Sequence, residues 1–442
     1  MKCIIVVALF FYHSLNGQGK KPLPGFLELQ PAVFSMSLVM MHDVVNPPAA
    51  SRFYMYAILG AYEIAAQNNT DITPLSKLLK GYHVPRIPAN QKKYDYRIAA
   101  VYSILETGKR MLPSGFMLQD KQDQFIATLK LHKISAIVIE QSIAVANLIS
   151  ADIVAFAKSD GYGNLSAKLR YTPLKGEGYW YPTPPTYMEA VEPNWKIIRT
   201  MVIDSCNQFA PVPPTTFSKD SSSAFYRMAK EVYEISKNPT AEQLQIASFW
   251  DCNPFVVGTS GHMAIGFKKI SPGGHWMNIA GIVAKKAKLD FGKAVVLHTM
   301  VSLTLMDAFI SCWDEKYRSN RIRPETYINK YIDLKWQPIL QTPPFPEYTS
   351  GHSVISTAAA EVLSYLMGDH FTFTDDSEII FDIPARTFQS FRQAAEEAAI
   401  SRLYGGIHFR DAIENGQVEG KALGIKVIEK IKLEGVLPLF RK

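Results

Sequence analysis

Apolar residues recur at three- and four-residue spacing along most of the chain, and the alternation that marks a strand is scarce. The pattern predicts helices at 34–45, 51–68, 96–112, 122–133 and 135–160, then at 223–238 and 240–251, where Thr240 and Gln243 have capping-box spacing. Further helices are predicted at 353–367, 388–404 and 408–433. From 161 to about 223 the texture changes: YTPLKGEGYWYPTPPTYMEAVEPNW and FAPVPPTTFS are dense in proline, glycine and aromatic residues. So long a stretch without periodicity is uncommon in a compact domain and reads as a functional wall or a covering strap. The expected fold is all-α, two packed helical bundles with long loops rich in proline and aromatics.

The segment LDFGKAVVLHTMVSLTLMDAFISCW, 289–313, is long enough to cross a bilayer. Lys293, His298 and Asp307 interrupt it at positions where polar groups are costly in lipid, so it is expected to be a buried bundle helix, and no stable membrane span is expected. The N-terminus, MKCIIVVALFFYHSLNGQGKK, has a short positive start, an apolar run too short to span, and a small polar end. It predicts a signal peptide over 1–19 and a secreted or periplasmic mature protein. Cys3 precedes the apolar run, which argues against lipid attachment there. The rest divides into an N-terminal helical domain with its loop-rich strap, 20–239, and a second bundle, 240–442, that carries the candidate chemistry.

Composition supports a globular protein, 47% hydrophobic and 20% charged over 442 residues, and above about 250–300 residues one core usually divides. A net charge of +7 suits an anionic substrate or cofactor, but there is no long Lys/Arg run and no nucleic-acid motif, so no nucleic-acid partner is expected. Beyond the leader remain Cys206, Cys252 and Cys312, an odd number at spacings that match no zinc motif and imply no disulfide framework. The long amphipathic helices are compatible with a homodimer.

The chemistry gathers around PFPEYTSGHSVIS, Pro344 to Ser356. A small polar run ends in Ser350 at an expected N-cap, where free amides, a hydroxyl and Gly351 can hold an oxyanion at the positive end of the helix. His352 stands beside that position as a proton donor or acceptor. Upstream, KYRSNRIRPETY places Lys316 at the end of the long helix and Arg323 seven residues later, held extended by Pro324. Downstream, in SRLYGGIHFRD, Gly405-Gly406 can end one helix and turn His408 back toward Arg402. A lysine, two arginines, a serine, a glycine amide and two histidines make a set suited to a highly charged oxyanion. One histidine can serve as ligand or nucleophile and the other as acid or base. Taken singly, each piece also reads as an ordinary cap, turn or solvated charge.

Their order, Lys-x6-Arg-Pro, Ser-Gly-His, then Ser-Arg-x5-His, resembles the three-part signature shared by vanadium-dependent haloperoxidases and type-2 phosphatidic acid phosphatases, including bacterial class A acid phosphatases. The motif resemblance covers Trp313 to Asp411, and the helical N-terminal half resembles the larger haloperoxidase architecture by pattern and length. It implies that Lys316, Arg323, Ser350, Gly351 and Arg402 bind the oxygens of vanadate. It makes His408 the axial vanadium ligand, or the nucleophile in a phosphatase, and His352 the acid–base residue. Trp313 and Phe345 match positions flanking the halide pocket of chloroperoxidase-like members, whereas algal bromoperoxidases tend to carry histidine at the latter. FISCWDEKYRSNRIRPETYI and SRLYGGIHFRDAIENG look most like bacterial iodo- or bromoperoxidases.

Two departures bear on the site. Thr349 stands where the signature usually has proline. The aspartate that phosphatases carry four residues after the second histidine is here Ala412, so the orienting role shifts to Asp411 or to a carboxylate elsewhere. Asp251 is a candidate partner for Arg402 or a helix-end cap. A second TSGH, ending in His262, precedes the whole constellation and reads as coincidence. The resemblance implies vanadate as cofactor and hydrogen peroxide and halide as substrates; iodide, the easiest halide to oxidise, is favoured over bromide, and the organic acceptor is left open. The alternatives are a secreted acid phosphatase using the same cradle and an inert oxyanion-binding protein.

Overall fold

The computed structural model describes residues 24–440 apart from 261, 262 and 267. The expected leader at 1–19 and His262 therefore lie outside the described residues. The fold is all-α. In the first part run α1 (Gln30–His42), α2 (Pro47–Ala66), α3 (Tyr96–Met111), α4 (Leu118–Leu131) and α5 (Ala136–Lys158). After a long loop come α6 (Ala224–Lys237) and α7 (Ala241–Phe249), the antiparallel pair β1 (Val257–Ser260) and β2 (Met263–Gly266), α8 (Pro272–Lys286), α9 (Phe291–Ser319) and α10 (Pro324–Tyr331). The chain ends with α11 (Gly351–Met367), a second antiparallel pair, β3 (Phe373–Asp375) and β4 (Arg386–Phe388), α12 (Phe391–Tyr404) and α13 (Arg410–Leu433).

Helix α9 is the axis. It packs on α2 and α8 on one side and on α11 and α13 on the other, and one cluster of buried side chains runs from Leu29 to Val436. A smaller cluster joins α6, α10 and α12 through Phe225, Tyr327 and Leu403. Among the described residues two stretches are long and apolar enough to cross a membrane, Ala136–Ala167 and α9, and the qualifying window of α9 is wholly buried in protein. Two of its polar interruptions, Asp307 and His298, have backbone partners. The Asp307 carboxylate accepts the N–H groups of Met201, Val202 and Ile203 at 2.6, 2.7 and 3.0 Å, and His298 Nδ1 lies 2.7 Å from the Ala294 carbonyl.

Those three amides belong to the proline- and aromatic-rich stretch, which covers α9 and the turn before α11. The Val191 carbonyl accepts from Trp313 Nε1 and the Tyr317 hydroxyl, and the Val212 carbonyl accepts from the Tyr348 hydroxyl. The stretch is thus a strap, several of whose backbone groups are satisfied by the helix and the turn it covers, as buried irregular chain requires.

Helix α13 lies unusually close to α11 because its facing positions are glycines. A Cβ on Gly420 would stand 2.3 Å from the Val354 carbonyl oxygen, and one on Gly416 would meet Ser353 and Ser350 at 2.9 and 3.1 Å. That approach lets the Ala412 carbonyl accept the Ser350 N–H at 3.0 Å, tying the start of one helix to the start of the other.

Candidate active site

The start of α11 is built as its sequence predicts. Ser350 is the N-cap, extended at φ −67° and ψ 119°, and its hydroxyl accepts the Ser353 N–H at 3.4 Å. First-turn amides have no acceptor within the helix, and the dipole adds partial positive charge there.

Three buried cations converge on this end. Lys316, in the last turn of α9, donates from Nζ to the carbonyls of Pro346 and Glu347, each at 3.2 Å, and of Thr349. Burial pushes its pKa down to about 8. Arg323, extended before Pro324 at φ −84° and ψ 153°, caps α10. Its Nε donates to the Phe345 carbonyl and Nη1 to the Ile407 carbonyl, each at 2.9 Å, while Nη2 is buried without a partner. Burial pushes this guanidinium down to about 10. Arg402, in the last turn of α12, donates from Nη2 to the Trp250 carbonyl at 2.6 Å and from Nε to the Ser401 hydroxyl at 3.0 Å. Asp251 acts on Arg402 as a nearby charge, but the guanidinium's hydrogen bonds go to those two groups.

The turn after α12 brings in the second histidine. Gly406, at φ +77°, takes the left-handed conformation that a side chain resists, and the chain reverses so that His408 precedes α13. His408 Nδ1 lies 2.9 Å from Glu347 Oε1, which also accepts the Phe409 N–H at 2.9 Å. The other Glu347 oxygen pairs with Arg321, and Arg321 in turn makes two 2.7 Å hydrogen bonds to Asp411. The orienting carboxylate is therefore Glu347. Asp411 acts one step removed, as an anchor for Arg321. Neither Glu347 nor Arg321 stands out in the sequence; the one available signal is an acid between Pro346 and Tyr348 in an otherwise apolar approach to Ser350.

A carboxylate can only accept, so Glu347 fixes the proton on Nδ1 and leaves the lone pair on Nε2, 3.2 Å from Arg323 Nη1. Burial, then the charges of Arg323, Lys316, Arg402 and Arg321, hold His408 well below the ordinary histidine range. His352 is held low in the same way, by burial first and then Arg402 and His408, and its Nε2 is buried with no hydrogen-bond partner. Both imidazoles are neutral near pH 7.

A cavity of about 40 Å³ lies among these groups, lined on its polar side by Cys252, Asn253, Gly351, His352, Arg402 and His408. That is room for about three water-sized groups. Trp313 and Phe345, with ring centroids 5.0 Å apart, form its apolar side. Lys316, Arg323 and Ser350 stand directly behind the lining. Lys316 Nζ is 5.2 Å from the Phe345 ring centroid. The residues fit a compact oxyanion with a metal centre: a neutral imidazole lone pair faces in, Arg323 Nη2 has no acceptor, and nothing but Trp313 and Ile355 lies within 4 Å of a Cβ placed on Gly351.

A crystal structure described as the first bacterial vanadium-dependent iodoperoxidase matches this fold with a TM-score of 0.84 and 44% sequence identity, over 91% of this chain and 95% of that one. This chain belongs to the vanadium-dependent haloperoxidases. The haloperoxidase family model for the VCPO second helical-bundle domain matches residues 296–434, which hold Trp313, the three cations and both histidines. Holo-type and apo-type crystal structures of a bacterial vanadium-dependent chloroperoxidase share the fold at TM-scores of 0.63 and 0.62. They are 15% identical, and the alignments cover 88% of this chain and 94% and 96% of those. Among curated protein sequences, none matches.

Proposed function

We propose that this haloperoxidase binds vanadate at the α11 N-terminus and uses hydrogen peroxide to oxidise iodide, with bromide a slower substrate, to hypohalous acid. The observation that carries the reading is His408, a buried neutral imidazole whose Nδ1 is engaged by Glu347 and whose Nε2 lone pair opens on a cluster of cations. When bound, vanadate supplies a Lewis-acidic vanadium(V) centre that activates peroxide toward halide.

The chain's own groups have separable tasks. His408 Nε2 is the vanadium ligand. Arg402, the free Nη2 of Arg323, the first-turn amides at Gly351 and the Ser350 hydroxyl bind oxyanion oxygens, and Lys316 supplies a buried positive charge behind them. His352, neutral with an unpartnered Nε2, accepts a proton from hydrogen peroxide entering the cavity. Trp313 and Phe345 exclude water on one side, which favours a large, weakly hydrated halide. Support for iodide comes from that apolar wall, from the ease of oxidising iodide, and from the iodoperoxidase relative. Secretion is proposed from the leader-like sequence at 1–19.

The purified protein, freed of anions and given vanadate, is assayed for peroxide-dependent oxidation of iodide, bromide and chloride, alongside hydrolysis of a generic phosphate ester. Vanadate-dependent halide oxidation, fastest with iodide and lost in His408→Ala, is expected. Ester hydrolysis that vanadate suppresses, without halide oxidation, would assign the same cradle to a phosphatase.

A further inference from the structure

A second cluster of donor atoms lies beside the active site and takes no part in the reaction above. Cys252 follows α7, His275 lies in the first turn of α8, and Glu378 lies in the turn after β3; their donor atoms are all within 4.8 Å of one another, and all three residues are buried. His275 Nδ1 is 3.4 Å from Cys252 Sγ and 3.2 Å from Glu378 Oε1. The opposite ring nitrogen, Nε2, is 2.7 Å from Asp375 Oδ2, and Asp375 is fixed in turn by the Ser377 N–H at 3.0 Å. Glu378 Oε1, 1% exposed as a side chain, accepts no hydrogen bond.

We propose that Cys252 Sγ, His275 Nδ1 and Glu378 Oε1 bind a divalent cation of the zinc type, with water or a second carboxylate oxygen in the fourth position. With Zn–N and Zn–O bonds of about 2.0–2.1 Å and a Zn–S bond of about 2.3 Å, tetrahedral geometry puts N and O about 3.3 Å apart and N and S about 3.6 Å apart. The observed 3.2 and 3.4 Å separations are close to those edges. Asp375 supplies the carboxylate that commonly takes the far N–H of a metal-bound histidine, and a thiolate with an imidazole selects zinc over magnesium or calcium.

Charge points the same way. Burial lifts the Glu378 carboxyl to about 7 and the Cys252 thiol above its ordinary range, and His275, which Asp375 and Cys252 hold above the ordinary histidine range despite its burial, offsets part of that cost with a single positive charge; a dication would compensate both anions in full. Binding displaces the thiol proton and any proton on Nδ1 to solvent, leaving thiolate, carboxylate and metal with no net charge. The cysteine spacing matches no zinc motif because the three ligands come from segments far apart in sequence. The site would also steady the segment that holds Arg402: the Trp250 ring stacks on His275 with centroids 4.6 Å apart, and the Trp250 carbonyl receives Arg402 Nη2.

The test is elemental mass spectrometry of the full chain purified without chelator or vanadate, followed by metal removal and titration with cobalt(II). The expected results are about one zinc per chain as purified and a near-ultraviolet thiolate-to-cobalt absorption on titration, both lost in Cys252→Ala and kept in Cys206→Ala. Wild-type protein that is free of zinc as purified and shows no such absorption overturns the proposal, leaving His275 as an imidazolium between Asp375 and Glu378. Zinc retained by folded Cys252→Ala overturns it as well. The wild-type measurements need no variant to fold.

Discussion

Glu347 and His408, 61 residues apart in sequence, meet at 2.9 Å with neither exposed to solvent, and the contact joins the turn before α11 to the turn before α13. The same carboxylate holds Arg321, so it sets the histidine tautomer while a cation outside the cavity balances its charge. A hydrogen-bond network of this kind makes the ligand nitrogen more basic and fixes its direction.

Glu347→Gln keeps the shape and removes the charge. Vanadate affinity is expected to fall about 10–100-fold, with the fold intact, because the amide orients Nδ1–H less firmly and leaves Arg321 to Asp411 alone. Titrating activity with vanadate measures this. Unchanged affinity would mean that backbone geometry alone aims His408.

At Gly351 sterics and function part company. The nearest atoms to an added Cβ are Trp313 Cζ3 at 3.8 Å and Ile355 Cδ1 at 4.0 Å, ordinary contacts, and the residue is not among those with positive φ. Gly351→Ala is therefore expected to leave thermal stability unchanged or raise it by about 0.4–1 kcal/mol. The methyl enters the cavity, so vanadate-dependent activity should fall at least about tenfold. Paired melting and reconstitution experiments check both halves, and a variant that melts early would contradict the steric argument.

Gly420 is the reverse case, a glycine required by packing and remote from the chemistry. With only 2.3 Å between an added Cβ and a backbone oxygen of α11, Gly420→Ala must push two helices apart. Overpacking of this kind costs about 1–3 kcal/mol. Denaturant unfolding should show that loss, and Ser350, tied to α13 through Ala412, should bind vanadate less well as a result.

The helices other than α8 and α10, the Ser350 cap, the Thr240–Gln243 capping box and the extended Arg323 were legible because each depends on residues within a few positions of one another. The three-part motif was legible for a different reason: its chemistry demands particular residue types at particular intervals. Glu347 was not, since nothing local distinguishes an acid that reaches a histidine from one that caps a turn. Asp411 looked the better candidate by sequence distance alone, yet its first-turn position on α13 turns it toward Arg321. The strap was recognisable as loop, but its backbone partners on α9 exist only in three dimensions. Cys252 and His275 belong to the same class, meeting through tertiary packing that no spacing encodes.

Lys316 should govern how oxyanion binding responds to pH. Burial lowers its pKa from 10.5 to about 8, so between those values the unfolded chain holds a proton that the folded, anion-free protein has released. Where the unfolded state binds more protons, stability rises with pH, and this residue therefore contributes a gain through that window and its full penalty below it. A bound oxyanion supplies the missing negative charge and keeps the lysine protonated. The lysine's contribution to affinity should accordingly be flat below about pH 8 and fall above it, approaching tenfold per pH unit. His352 and His408, held low, stay neutral throughout. Glu419 and Glu315, both lifted to about 7 by burial, are further groups near Lys316 that titrate close to this range, and the ionisation of Glu419 favours the lysine's charge. Calorimetry with tungstate, whose own charge is constant across the range, isolates the protein's contribution. Lys316→Met should bind more weakly but without the fall, and a wild-type affinity that stays flat to about pH 10 would remove Lys316 from the oxyanion's electrostatics.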